Sequence, residues 1–323
     1  MSDEVARVTS GPPRAGAARP ARPFPLRIPL YGYAGALLNA LAWGSAWARV
    51  GPWPYVFFPL WLGFILALDG INVARTGTSP WRQGRWQFVG LFLYSMLFWW
   101  TFEALNAPVG NWHYRWDHAY TPLGMALVET VAFSTVLPAV TEMAALVGSA
   151  PWLARRPAPR RLGHRLGARV LLPVALVLSG FGVALIVLAV AFPHWAFGGV
   201  WLCLIFLLDP INNRAGRPSA LGHLLSGDWR FFVTWPLAGL CTGFFWEMWN
   251  SRALPNWYYT VPLVDGAPHL FAMPLPGYLG YLPFGVELFV MYQFARLVTD
   301  GVARVGRSSP PAPRSAERGE PGR

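Results

Sequence analysis

The chain has 323 residues, of which 54% are apolar and only 13% charged, and it carries a formal net charge of +11. A mean hydropathy of +0.35, with the apolar residues gathered in long runs, excludes an ordinary soluble globular domain and points to a multi-pass membrane protein. All 26 basic residues are Arg, and topology alone accounts for the pI near 10.3, so no nucleic-acid partner is implied.

Residues 1–27 form a basic tail rich in Arg, Pro and Ala, expected to be disordered. Its prolines and the lack of a short apolar segment with a cleavage site argue against a signal peptide. Runs long enough to cross a hydrocarbon core follow near 31–48, 54–73, 87–107 and 123–148, the first of them short and carrying Asn39. An Arg- and Pro-rich linker, 151–167, leads to four more runs near 170–192, 196–212, 231–250 and 277–298, and 301–323 is a second tail expected to be disordered. The expected fold class is all-α: a polytopic membrane bundle of about eight helices. With that count, only Arg49, Arg115 and Arg252 fall on the side opposite the termini. The positive-inside rule then predicts an integral protein of the bacterial inner (plasma) membrane with both termini cytoplasmic. Cys203 and Cys241 lie within spans and read as small packing residues.

Polar residues inside these runs recur in pairs. "ALDGIN" and "LLDPIN" align Asp69 and Asn72 with Asp209 and Asn212, and "TFEALN" and "FWEMWN" align Glu103 and Asn106 with Glu247 and Asn250. "NWHY" and "NWYY" match Asn111, Trp112, His113 and Tyr114 with Asn256, Trp257, Tyr258 and Tyr259. "LPAVTE" and "LPFGVE" match Glu142 with Glu287. From Asn111 to Pro138 and from Asn256 to Pro283 the separation is 27 residues in both cases. This order predicts two four-helix repeats, 28–150 and 168–300, in parallel orientation because each has an even number of crossings.

A carboxylate in a membrane span usually faces a bundle interior or a water-filled cavity. Glu103, Glu247, Glu142 and Glu287 are therefore the candidate acid–base residues. Asn106, Asn250, Asn111, Trp112, His113, Asn256, Trp257 and Tyr258 are candidates to line a pocket for a membrane lipid or apolar small molecule. Asp69, Asn72, Asp209 and Asn212, three apart on a helix face, read as structural groups that close helix ends. The histidines of "WHYRWDH" occur in one half only, so no metal is expected, and nothing calls for a cofactor. The broken stretch "MPLPGYLGYLP" marks a helix interruption of the kind found at binding sites. Phosphate-binding loops, zinc-protease motifs and serine-hydrolase elbows are absent.

The duplicated "LPAVTEM" and "LPFGVELF" resemble the repeats of membrane lycopene cyclases of the two-subunit or fused type. That resemblance implies carotenoid biosynthesis: closure of isoprenoid rings by protonation of a polyene, without redox change. The expectation is an intramembrane enzyme acting on a lipid or isoprenoid through Glu-mediated acid–base chemistry. The alternatives are a transporter or channel for a small solute or ion, and a non-catalytic scaffold.

Overall fold

A computed structural model describes residues 27–154, 168–264 and 266–308. Most of both tails and of the linker lie outside the described residues. The described chain is mostly helical. In order it forms α1 (Leu30–Ala48), α2 (Phe57–Thr76), α3 (Pro80–Gln83), α4 (Arg85–Val109), β1 (Trp112–Arg115), α5 (Pro122–Phe133), α6 (Val136–Gly148) and α7 (Pro151–Ala154). Then come α8 (Ala168–Ala191), α9 (Pro193–Ala196), α10 (Cys203–Arg214), α11 (Ala220–Ser226), α12 (Phe231–Asn250), β2 (Asn256–Tyr259), β3 (His269–Leu270), β4 (Met273–Pro274) and α13 (Tyr281–Ser308). The last helix runs past the expected end of its span at 298 and into the segment read as a disordered tail.

Five helical stretches are long and apolar enough to cross a membrane: Phe57–Thr76, Arg85–Val109, Pro122–Gly148, Leu172–Ala191 and Pro193–Arg214. The other three expected spans are helical as α1, α12 and α13. Tyr, Trp, Gly and Asn in α1 and α12, and Glu287, Gln293, Arg296 and Asp300 in α13, dilute their apolar character. Two of the five are also interrupted. The expected sixth span enters through α9 and a 3-10 turn, Phe197–Trp201, before α10 begins, and the fourth is broken between α5 and α6 at Ser134 and Thr135.

A break in an apolar setting exposes backbone groups that need partners. Ser95 of α4 supplies both: its hydroxyl donates to the Phe133 carbonyl at 2.5 Å and accepts from the Leu137 amide at 3.0 Å. Ser134 and Thr135 turn their own hydroxyls back to the Val131 and Ala132 carbonyls.

α1 packs along α2, and α8 along α10. Between α1 and α2 the backbones meet at Gly35 and Gly63. A Cβ on Gly63 would lie 2.5 Å from the Asn39 amide nitrogen, so only glycine permits this approach. The core lies between α2, α4, α6, α12 and α13 and is built largely of rings. Trp61, fully buried, meets Trp246 and Trp249 at centroid distances of 5.1 and 4.8 Å.

Although the chain is helical, its two matched aromatic loops are strands, and they pair with each other. β1 and β2 run antiparallel with Trp112 opposite Tyr259, His113 opposite Tyr258 and Tyr114 opposite Trp257. The pairing is two-fold symmetric about the His113–Tyr258 pair, since each motif's Trp faces the other's final Tyr.

Replacing Ser95 by Ala strands one buried carbonyl and one buried amide, so Ser95→Ala is expected to cost about 2 kcal/mol or more of stability. Thermal unfolding in detergent reads this. An unchanged midpoint would show that the α5–α6 break does not rely on α4.

Candidate functional site

α4 ends at Asn106–Gly110, where Gly110 takes the left-handed conformation (φ 69°) and turns the chain into β1. Asn106 braces this turn: its Nδ2 donates to the Trp112 carbonyl at 2.8 Å and its Oδ1 accepts from the Asn111 amide at 2.7 Å. Asn250, at the end of α12, braces β2 in the same way. Its Nδ2 donates to the Trp257 carbonyl at 2.7 Å and its Oδ1 accepts from the Trp257 amide at 2.9 Å. These two side chains hold the strands; Asn250 also reaches a cavity wall, and Asn106 does not line it.

One helical turn before each Asn stands a Glu. Glu103, half-buried, accepts at a single oxygen from the Tyr114 hydroxyl (2.5 Å), Trp99 Nε1 (2.8 Å) and Trp112 Nε1 (3.0 Å). Glu247, fully buried, accepts from the Tyr259 hydroxyl (2.6 Å) and the Tyr281 hydroxyl (2.5 Å), while its Oε2 has no partner among the described residues. The donor sets differ for a steric reason. Four residues before Glu103 is Trp99, and four before Glu247 is Gly243. A Cβ on Gly243 would lie 2.5 Å from the Tyr281 ring. Tyr281 thus fills the space that Trp99 occupies beside Glu103 and takes over its hydrogen bond. Burial, followed by the neighbouring Glu, raises the Tyr114 and Tyr259 hydroxyls well above the ordinary tyrosine range, so both stay protonated and act as donors.

The tyrosines open onto a cavity of about 490 Å³ between the two lengths of chain. Its wall carries Trp99, Trp112, Trp201, Trp246, Trp249 and Trp257 with Tyr114, Tyr259 and Tyr281. Of the residues expected to form a pocket, Asn111, Trp112, Asn250, Asn256 and Trp257 line it. His113 and Tyr258 face the other side of the ribbon, where their rings sit 5.3 Å apart and His113 Nε2 is 2.9 Å from Thr260 Oγ1. His118 pairs with Asp117, so the histidines of this loop do not converge. Glu103 and Glu247 stand directly behind the tyrosines. Glu142 and Glu287 do not reach the cavity.

Four further residues belong to this site and were not among the candidate site residues. Tyr114 and Tyr259 recur in the matched motifs, 11 and 12 residues after their Glu, a spacing that ties them to those carboxylates. Tyr281 lies in the broken stretch "MPLPGYLGYLP", and its bond to Glu247 could be inferred only from the Trp99-to-Gly243 exchange. Glu129 of α5, a cavity-lining acid, occurs once and left no repeat signal.

A second polar layer lies deeper. Asn72 Nδ2 donates to Glu142 at both its carbonyl (3.0 Å) and Oε2 (2.8 Å), and Asn212 Nδ2 donates to the Val290 carbonyl (2.9 Å). Glu287 accepts from the Leu204 amide (3.1 Å). Asp209 accepts from the Ala220 and Leu221 amides, both at 2.7 Å, at the start of α11, and Asp69 accepts from the Trp81 amide (3.2 Å) in α3. All of these bonds join one helix to another element, which is what interhelical polar groups do in membranes.

At the far end of α12 a smaller cavity, about 280 Å³, borders His223, Asp228 and Arg230. His223 stacks on Phe231 at 4.4 Å, with Nδ1 3.3 Å from Asp228, and Arg230 Nε donates to Asp228 at 2.9 Å. Burial lowers the imidazole below its ordinary 6.5 against the pull of Asp228, so the fold favours neutral His223. Burial pushes Asp228 upward, but Arg230 and His223 outweigh it and hold the carboxyl below 3.8.

No protein-family model, curated protein or solved structure matches this chain. Its five long apolar helices fit an integral membrane protein. The site adds an aromatic cavity backed by tyrosine-linked carboxylates.

Two outcomes follow from this geometry. Gly243→Ala forces Tyr281 out of its place and is expected to cost about 1–3 kcal/mol. Tyr281→Val combined with it should recover part of that loss, and purely additive effects in the double-mutant cycle would refute the exchange. For His223, the unfolded chain binds a proton first as pH falls through 6.5, so this contribution to stability is present above that pH and lost below it. The unfolding midpoint should fall between pH 7.5 and pH 5.5 and fall less in His223→Phe. The same slope in both proteins would exclude the imidazole as its source.

Proposed function

We propose that this chain is an intramembrane enzyme acting on a lipid or isoprenoid by acid–base chemistry, with its substrate in the aromatic cavity. The observation that carries this reading is the pairing of cavity-lining tyrosine hydroxyls with carboxylates behind them: Tyr114 with Glu103, and Tyr259 and Tyr281 with Glu247. In the deprotonating direction the tyrosine oxygen receives the substrate's proton while its own passes to the Glu Oε1. The tyrosine stays neutral and the Glu becomes protonated; the reverse transfer returns the proton. The aromatic walls exclude water from this exchange.

Within this reading the chain is two four-helix halves, 28–150 and 168–300, duplicated in parallel and lying in the bacterial inner membrane with both termini cytoplasmic. The two-fold ribbon and the matched Asn106 and Asn250 braces support the duplication. Glu142 and Glu287, with Asn72 and Asn212, act as joints between helices.

The test is Glu103→Gln and Glu247→Gln, singly and together, with Tyr114→Phe, followed by mass spectrometry of copurifying lipids and cellular lipid pools. Each Glu variant is expected to keep its fold and bound lipid while conversion drops by roughly 10²-fold or more. A folded double variant with unchanged lipid pools would remove the enzymatic reading.

A further inference from the structure

The charge pattern of the cavity narrows what it can hold. Among its described lining residues Glu129 is the sole charged side chain. It is half-buried, and no described residue gives it a hydrogen bond or an ion pair. Glu103 stands behind the same cavity wall, bonded to the lining residues Trp99, Trp112 and Tyr114, so the second ionisable group at this wall is also an acid. None of the three arginines of this end, Arg49, Arg115 and Arg252, lines the cavity. Arg115 lies 4.4 Å over the Tyr258 ring and Arg252 lies 5.0 Å over the Trp47 ring, neither of which lines the cavity. The tyrosine hydroxyl protons are committed to Glu103 and Glu247. An anionic head, such as a phosphate or a carboxylate, finds no countercharge here, and an uncharged hydrocarbon would cover Glu129 without giving it a partner. A cation satisfies the carboxylate, and the negative faces of indole rings favour the same charge.

We propose that the cavity takes an amphiphile whose polar end is an organic cation, a protonated amine or quaternary ammonium, seated at Glu129 with its apolar tail among the tryptophans. This rests on the reading of the cavity as the lipid site and specifies the headgroup class.

The test uses the full chain in a non-ionic detergent and four probes measured by calorimetry: dodecyltrimethylammonium, 1-dodecanol, dodecanoate and tetramethylammonium. Dodecyltrimethylammonium is expected to bind once per chain, roughly ten-fold tighter than dodecanol, with dodecanoate weaker still. In Glu129→Gln the cation preference should disappear while dodecanol binding persists, which makes dodecanol the control for an intact cavity. Glu129→Asp should retain the preference. Dodecanol or dodecanoate binding as tightly as the cation, or an unchanged preference in Glu129→Gln, would overturn the proposal and leave the lipid site standing. Tetramethylammonium binding as tightly as the long-chain cation would overturn the amphiphilic assignment. Binding of none of the four would overturn both this proposal and the cavity as a lipid site.

Discussion

The pairing of β1 with β2 governs the geometry of this molecule's functional end. Two short strands, from parts of the chain about 145 residues apart in sequence, exchange backbone hydrogen bonds that neither could make alone. Each is fastened to the helix before it by one asparagine, which satisfies both an amide and a carbonyl. Such satisfaction is required of backbone that leaves a helix in an apolar setting. Once the ribbon is fixed, alternation along each strand turns Trp112, Tyr114, Trp257 and Tyr259 to the cavity and His113 and Tyr258 away from it.

The same constraint explains the layer beneath. At three places where a helix starts or breaks, a side chain from a neighbouring element closes the exposed backbone: Ser95 at the α5–α6 break, Asp209 at α11, Glu287 at the start of α10. These groups occupy the positions where free energy would otherwise be lost, and their burial follows from that task. Glu103 and Glu247 differ because their partners are side-chain hydroxyls and indoles at a cavity wall.

Much of this was legible in advance. Polar residues interrupting apolar runs stand out because burying them is expensive, so Asp69, Asn72, Glu103, Asn106 and their counterparts were visible, as were the helices that carry them. The strand character of "NWHY" and "NWYY" was hidden because four residues of aromatic sequence carry no period, and their pairing is a contact across distant chain. Tyr281 was hidden because it compensates for Gly243 through space. Glu129 was hidden because its neighbours on α5 are apolar and its position relative to the cavity depends on the fold. α1, α12 and α13 are helical where spans were expected but are less apolar than the five long helices, because of Gly, Asn and Trp in α1 and α12 and of Glu287, Gln293, Arg296 and Asp300 in α13.

The exchange of Trp99 for Gly243, with Tyr281 in the vacated space, gives the cavity two unlike walls on a nearly symmetric frame. One wall combines two indoles and a phenol around Glu103, with Glu129 beside them; the other combines two phenols around the fully buried Glu247. A molecule entering between them cannot be turned end for end at equal energy. Under the proposed enzymatic reading, these unlike walls would admit a substrate in one orientation, with the same face toward the same tyrosine each time.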